Sequence, residues 1–113
     1  MSKNQQTKYL IFIAAVLAFA MQPVFSASGK EVYNGTCIAC HGADGKGVVP
    51  GAPDFTASDS PLKKEDAVLI KHMMNGFQSE GSPMAMPPKG GNAKLKKVDM
   101  VNVLKYMRKE FKP

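Results

Sequence analysis

Cys37 and Cys40 are the only cysteines in the 113-residue chain, and His41 follows the second directly. Residues three apart on a helix lie about one turn from each other on one face. Cys37 and Cys40 therefore offer two thiols to the same side, each able to add to one vinyl group of a single porphyrin. The run Cys37-Ile38-Ala39-Cys40-His41 is the Cys-x-x-Cys-His attachment signature of haem c. His41 is carried beneath such a ring, where its imidazole binds the iron from the proximal side. Other chemistries of the pair fit less well. A zinc site usually takes four protein ligands, often from two cysteine pairs, and here only His72 remains as a further donor of that kind. A thioredoxin-like pair sits beside a βαβ pattern, which this sequence lacks. A structural disulfide between residues three apart closes a very small loop and stabilises little.

A second ligand for the iron is sought in the Gly-, Pro- and Met-rich stretch from Gln78 to Gly91. It contains Gly81-Ser82-Pro83-Met84-Ala85-Met86-Pro87-Pro88-Lys89-Gly90-Gly91, which is too broken for helix or strand. Thioether sulfur raises the haem potential relative to stronger donor pairs. Met84 and Met86 compete for the role. Met86 is favoured because two prolines follow it and fix the backbone beside its sulfur. Core packing is the ordinary use of either methionine. His72 reads as a partly exposed helix histidine rather than as the distal ligand.

Short helices must position these groups. The first is expected from Ser28, a candidate N-cap, to just past His41, ending at Gly42, and a glycine-rich loop then runs to Gly47. A ligating histidine usually gives its second ring N–H to a fixed acceptor, and a proline carbonyl in Pro50-Gly51-Ala52-Pro53-Asp54-Phe55 is a candidate, with Phe55 packing on the haem edge. Ser60 and Pro61 predict the start of a middle helix, as N-cap and first helical residue. Leu69, Ile70, Met73, Met74 and Phe77 give it an apolar side, and Asn75-Gly76 ends or loosens it. Met100, Val103, Leu104, Met107 and Phe111 form the apolar stripe of a last helix, expected to pack against the first helix and the haem. No stretch predicts a strand.

The length allows one domain. Lys3, Lys8 and the apolar run Leu10–Met21 predict a secretory signal covering residues 1–26, cleaved after Ser26. The run is short of the roughly 20 residues that span a membrane, so no stable membrane insertion is expected after cleavage. The mature chain would be Ala27–Pro113, a small domain that a covalent haem staples together. Its charge is uneven: Ala27–Asp59 carries net −2 and Ser60–Pro113 net +6. Basic residues without interleaved aromatics speak against nucleic-acid binding. Steering toward an acidic redox partner is the favoured use of some of the lysines.

Cys37-Ile38-Ala39-Cys40-His41, Gly51-Ala52-Pro53-Asp54-Phe55, Met86-Pro87-Pro88-Lys89-Gly90-Gly91 and Val103-Leu104-Lys105-Tyr106-Met107 together resemble small bacterial monohaem class I c-type cytochromes, nearest in look to the short periplasmic carriers of the c-five type. The likeness runs from about Glu31 to Phe111. It implies an all-α fold of three to four short helices around one covalently bound haem c, with thioethers at Cys37 and Cys40. It implies His41 and Met86 as axial ligands and the Pro53 carbonyl as acceptor from His41, with Pro50 as the alternative. It also implies a monomeric periplasmic electron carrier, not an enzyme, that exchanges electrons with a donor and an acceptor protein. A haem subunit of a larger periplasmic oxidoreductase is the competing reading, and a ligand sensor a third. In relatives the glycine ending the middle helix lies close to the ligating methionine. Here ten positions separate Gly76 from Met86, and Met84 falls inside that longer loop.

Overall fold

The computed structural model describes residues 25–113 together with residues 5, 6, 8 and 9. The apolar run Leu10–Met21, read as the centre of a signal, lies outside the described residues. Among those described, no helix is long and apolar enough to cross a membrane.

The first helical segment, α1, comprises Gly29–Val32, a π-helical turn Tyr33–Cys37, and Ile38–His41. Ser28 caps it as expected, in a reciprocal pair: the Glu31 N–H donates to Ser28 Oγ at 3.2 Å, and the Ser28 N–H donates to Glu31 Oε2 at 2.8 Å. The π-turn inserts one extra residue per turn and ends on the first cysteine of the pair, Cys37. Such insertions are frequent at functional sites. The segment ends at Gly42, as expected.

The last helix, α3, spans Lys97–Glu110. Asp99 starts it by accepting the Lys96 N–H at 2.7 Å. The expected stripe is buried, with Val103 fully so and Phe111 packed just beyond the helix end. It crosses α1 at Gly29. A Cβ there would collide with Asn102 O and lie 2.7 Å from Tyr106 Cβ, so only glycine permits the approach. The Asn102 side chain ties down the entry by donating to Ala27 O at 3.2 Å.

The middle helix, α2, spans Asp66–Asn75. It starts later than the Ser60-Pro61 signal predicts. Ser60 does cap, accepting the Leu62 N–H at 3.2 Å, but the turn it caps is a separate 3-10 turn, Pro61–Lys63. Lys64 is extended and breaks the run. Arg108 of α3 holds this break by donating to Leu62 O at 3.0 Å, to Lys64 O at 2.7 Å and to Asp66. Leu69 and Met73 carry α2 into the common core with Val32, Leu104 and Met107. Gly76 ends α2. The described residues form no strand, only an isolated antiparallel bridge between Phe77 and Met86. Among the residues from 25 onward the fold is all-α, three helices around one core, as the sequence leads one to expect.

Candidate functional site

Cys37 and Cys40 are both free, Cys37 half-buried and Cys40 exposed. Burial pushes the Cys37 thiol up to about 11, and the neighbouring Cys40 adds to the rise. Redox-active cysteines instead hold a low-pKa thiolate, so the pair is chemically unlike a dithiol catalyst. Among the described residues, no group of three or more His, Cys, Asp or Glu side chains is placed to hold a bare metal ion.

His41 closes the segment. Its ring stacks on Phe55, centroids 4.7 Å apart and planes 19° apart. Phe55 is fixed by its N–H donating to Gly45 O at 2.8 Å and by packing on Phe111 at 6.1 Å. Phe111 in turn packs on Tyr33 at 5.1 Å, so aromatic rings run unbroken from the α1–α3 crossing to the imidazole. The Tyr33 hydroxyl, buried, donates to Gly42 O at 2.6 Å and fixes the backbone next to His41. The loop beyond folds back over the helix end: Gly47 N–H donates to His41 O at 2.9 Å, and Val48 N–H to Cys40 O at 2.9 Å. Burial lowers the pKa of His41 and favours the neutral, metal-ligating imidazole.

His41 Nδ1 is buried and has no hydrogen-bond partner. The structure therefore does not bring the Pro53 carbonyl to it, nor that of Pro50. Pro53 lies exposed in its loop. Phe55, two residues on from Pro53, stacks on the face of the ring instead.

Phe77 and Met86 exchange two backbone hydrogen bonds: Phe77 N–H to Met86 O at 3.0 Å, and Met86 N–H to Phe77 O at 2.8 Å. Residues nine positions apart are thus in direct contact at the end of α2. Gly76 makes the approach possible, with φ +81°; a Cβ there would sit 2.9 Å from Met86 O and 3.1 Å from Pro88 Cδ. Met86 is half-buried and packs on the core, whereas Met84 is 48% exposed. The His72 ring stacks on Phe77 at 3.8 Å.

Several contributors are not obvious from sequence. Phe77 reads as the last residue of a helix stripe, yet it is the backbone partner of Met86. Thr36, which accepts from Asn92 Nδ2 at 3.3 Å, joins α1 to the turn after the methionine loop. Together with Gly35 and Gly90 to Lys94 it lines an open groove immediately before Cys37. A polar residue directly before the cysteine pair is the one hint the sequence gives of that junction.

The donor set fits a covalent haem: two free thiols on one helical segment, a half-buried imidazole stacked on Phe55, and a thioether packed beside the core. The sequence matches the family described as "Cytochrome c" over residues 26–110. It is similar to cytochrome c-551 of Stutzerimonas stutzeri, 33% identical over 72 residues, which is 63% of this chain and 69% of that protein. It is similar to cytochrome c-555 of Prosthecochloris aestuarii, 34% identical over 89 residues, covering 74% of this chain and 86% of that protein. Cytochrome c-555 of Chlorobaculum thiosulfatiphilum is 32% identical over 82 residues, 73% of this chain and 92% of that protein.

Proposed function

Because the chain belongs to the cytochrome c family, as a small monohaem class I member that binds haem c covalently and carries electrons rather than catalysing a reaction, we propose that it is a periplasmic one-electron shuttle with His41 and Met86 as its axial ligands. When bound, the haem would supply an iron that accepts and gives up one electron. In this reading Cys37 and Cys40 form the two thioethers. His41 is held neutral by burial and fixed in plane by Phe55. Six ligands leave no coordination position for a substrate.

The observation that carries the reading is the Phe77–Met86 backbone pair. It brings Met86 to the end of α2 despite the longer loop. Pro87 and Pro88 stiffen the chain on its far side. Met84, half exposed outside the pair, is the weaker candidate. The basic start and apolar run Leu10–Met21 support export and cleavage after Ser26. Lys94, exposed on the groove beside Thr36, and the neighbouring Lys96 and Lys97 support docking of an acidic partner near the cysteine pair.

The protein matured in a haem-attaching periplasm tests the proposal. It should be low-spin in both oxidation states, undergo reversible one-electron reduction, and bind no carbon monoxide at neutral pH when reduced. A high-spin spectrum, or ready carbon monoxide binding, would indicate an open iron and remove the shuttle reading.

A further inference from the structure

The two candidate axial ligands are carried by different loops, and those loops meet at one place. From His41 the path runs through the Gly47 and Val48 hydrogen bonds to His41 O and Cys40 O, and on to a turn in which Ala52 N–H donates to Val49 O at 3.1 Å. Gly51 sits in that turn with φ +86°, and a Cβ on it would collide with Ser82 Oγ and lie 3.3 Å from Ser82 Cβ and 3.4 Å from Pro83 Cδ. Ser82 is the tip of the arm between Phe77 and Met86, and the arm is bonded to itself. Ser82 N–H donates to Ser79 O at 3.0 Å, Gln78 Nε2 donates to Ser82 O at 2.8 Å, and Ser82 Oγ donates to Met84 O at 2.8 Å. The arm's base is closed by the Phe77–Met86 pair.

We infer that Gly51 and Ser82 are positioning residues for the distal ligand: their contact ties the methionine arm to the turn anchored on the Cys40–His41 backbone, and so holds Met86 in ligating position. The inference rests on the assignment of Met86 as a ligand. The mechanical argument is direct. Met86 is fixed on one side by its bonds to Phe77 and on the other by two prolines, but the arm entering it would swing about Phe77 if its tip were free. Closing the tip on Gly51 removes that motion. A side chain at Gly51, or a bulkier one at Ser82, separates the loops and raises the fraction of molecules in which the thioether is off the iron.

Imidazole binding to the ferric holoprotein reads that fraction, because an exogenous ligand binds only the open form and its apparent affinity scales with the open population. Gly51→Ala and Ser82→Leu, which crowd the contact from opposite sides, should each tighten imidazole binding by about tenfold or more and weaken the far-red methionine–iron band. Should Gly51→Ala fail to mature because of its backbone conformation, Ser82→Leu still tests the contact when read against Ser82→Ala, which loses the same bond to Met84 O without crowding Gly51. Gly81→Ala is the control: it also has positive φ but nothing lies within 4 Å of its Cβ, so it strains the arm without touching the contact. It should leave imidazole affinity near wild type. Equal tightening in Gly81→Ala would assign the effect to arm strain and overturn the inference, as would unchanged affinity in both contact variants while the band still depends on Met86. A band that survives Met86→Ala would overturn the ligand assignment and this inference with it.

Discussion

The Tyr33 hydroxyl donates to the Gly42 carbonyl at 2.6 Å, with the tyrosine 1% exposed, which fixes the backbone that follows His41. Tyr33→Phe keeps the ring packing on Tyr106 and Phe111 but leaves a buried carbonyl unpaired. A loss of about 1–3 kcal/mol is expected, measured by denaturant unfolding of the holoprotein at pH 8. Burial, with smaller contributions from Cys37, Tyr106 and Asp44, raises this hydroxyl from 10.0 to about 12. Since the folded state favours the neutral phenol, the stabilisation is complete below pH 10 and is lost as pH climbs from 10 toward 12. The gap between wild type and Tyr33→Phe should therefore narrow across that window.

At the α1–α3 crossing, Gly29→Ala introduces a methyl group into the backbone of Asn102 and against Tyr106 Cβ. Both obstacles belong to α3 itself, so neither gives way as a flexible side-chain tip would. Overpacking of this kind costs about 1–3 kcal/mol. A clear fall in Tm is expected. An unchanged Tm would mean that the helices separate at little cost.

Arg108 joins three groups of the chain before and at the start of α2, and their worth differs. Two are backbone carbonyls, Leu62 O and Lys64 O, and the third is Asp66, whose side chain is 69% exposed. An exposed ion pair contributes about 0–1 kcal/mol, while charge-assisted bonds to backbone contribute about 1.5–3 kcal/mol. Asp66→Asn should therefore be nearly neutral in thermal unfolding and Arg108→Met distinctly destabilising. Equal losses would place the stability in the ion pair instead.

The sequence made the proximal half of the site legible. Two thiols and an imidazole at fixed spacing on one segment are a local pattern, and the Ser28 cap and the Gly42 and Gly76 stops are local too. What it hid depends on contacts between distant residues. The Ser60 signal was real chemistry, but it caps a 3-10 turn because Arg108, more than forty positions away, holds the break at Lys64. The Phe77–Met86 pair has no strand periodicity to announce it, since a single bridge needs only two residues in register. In this structure His41 Nδ1 has no hydrogen-bond partner, the Pro53 carbonyl included, and the ring is stacked on Phe55. A proline-rich loop shows that a turn exists without showing which carbonyl it aims inward.

Docking should be electrostatic. Lys94 lines the groove beside Thr36, directly before Cys37, and Lys96 and Lys97 follow, exposed at the start of α3. Electron transfer with an acidic redox protein should slow as ionic strength rises from about 0.01 to 0.15 M, since the screening length falls from about 30 to 8 Å. Lys94→Glu should flatten that dependence. A wild-type rate indifferent to salt would remove the steering role of these lysines.

The ferric far-red absorption band, compared in wild type, Met86→Ala and Met84→Ala, tests the central claim most directly. If His41 and Met86 hold the iron, the band is present in wild type, survives Met84→Ala and disappears in Met86→Ala. Loss in Met84→Ala with retention in Met86→Ala would contradict the assignment that the Phe77–Met86 pair supports.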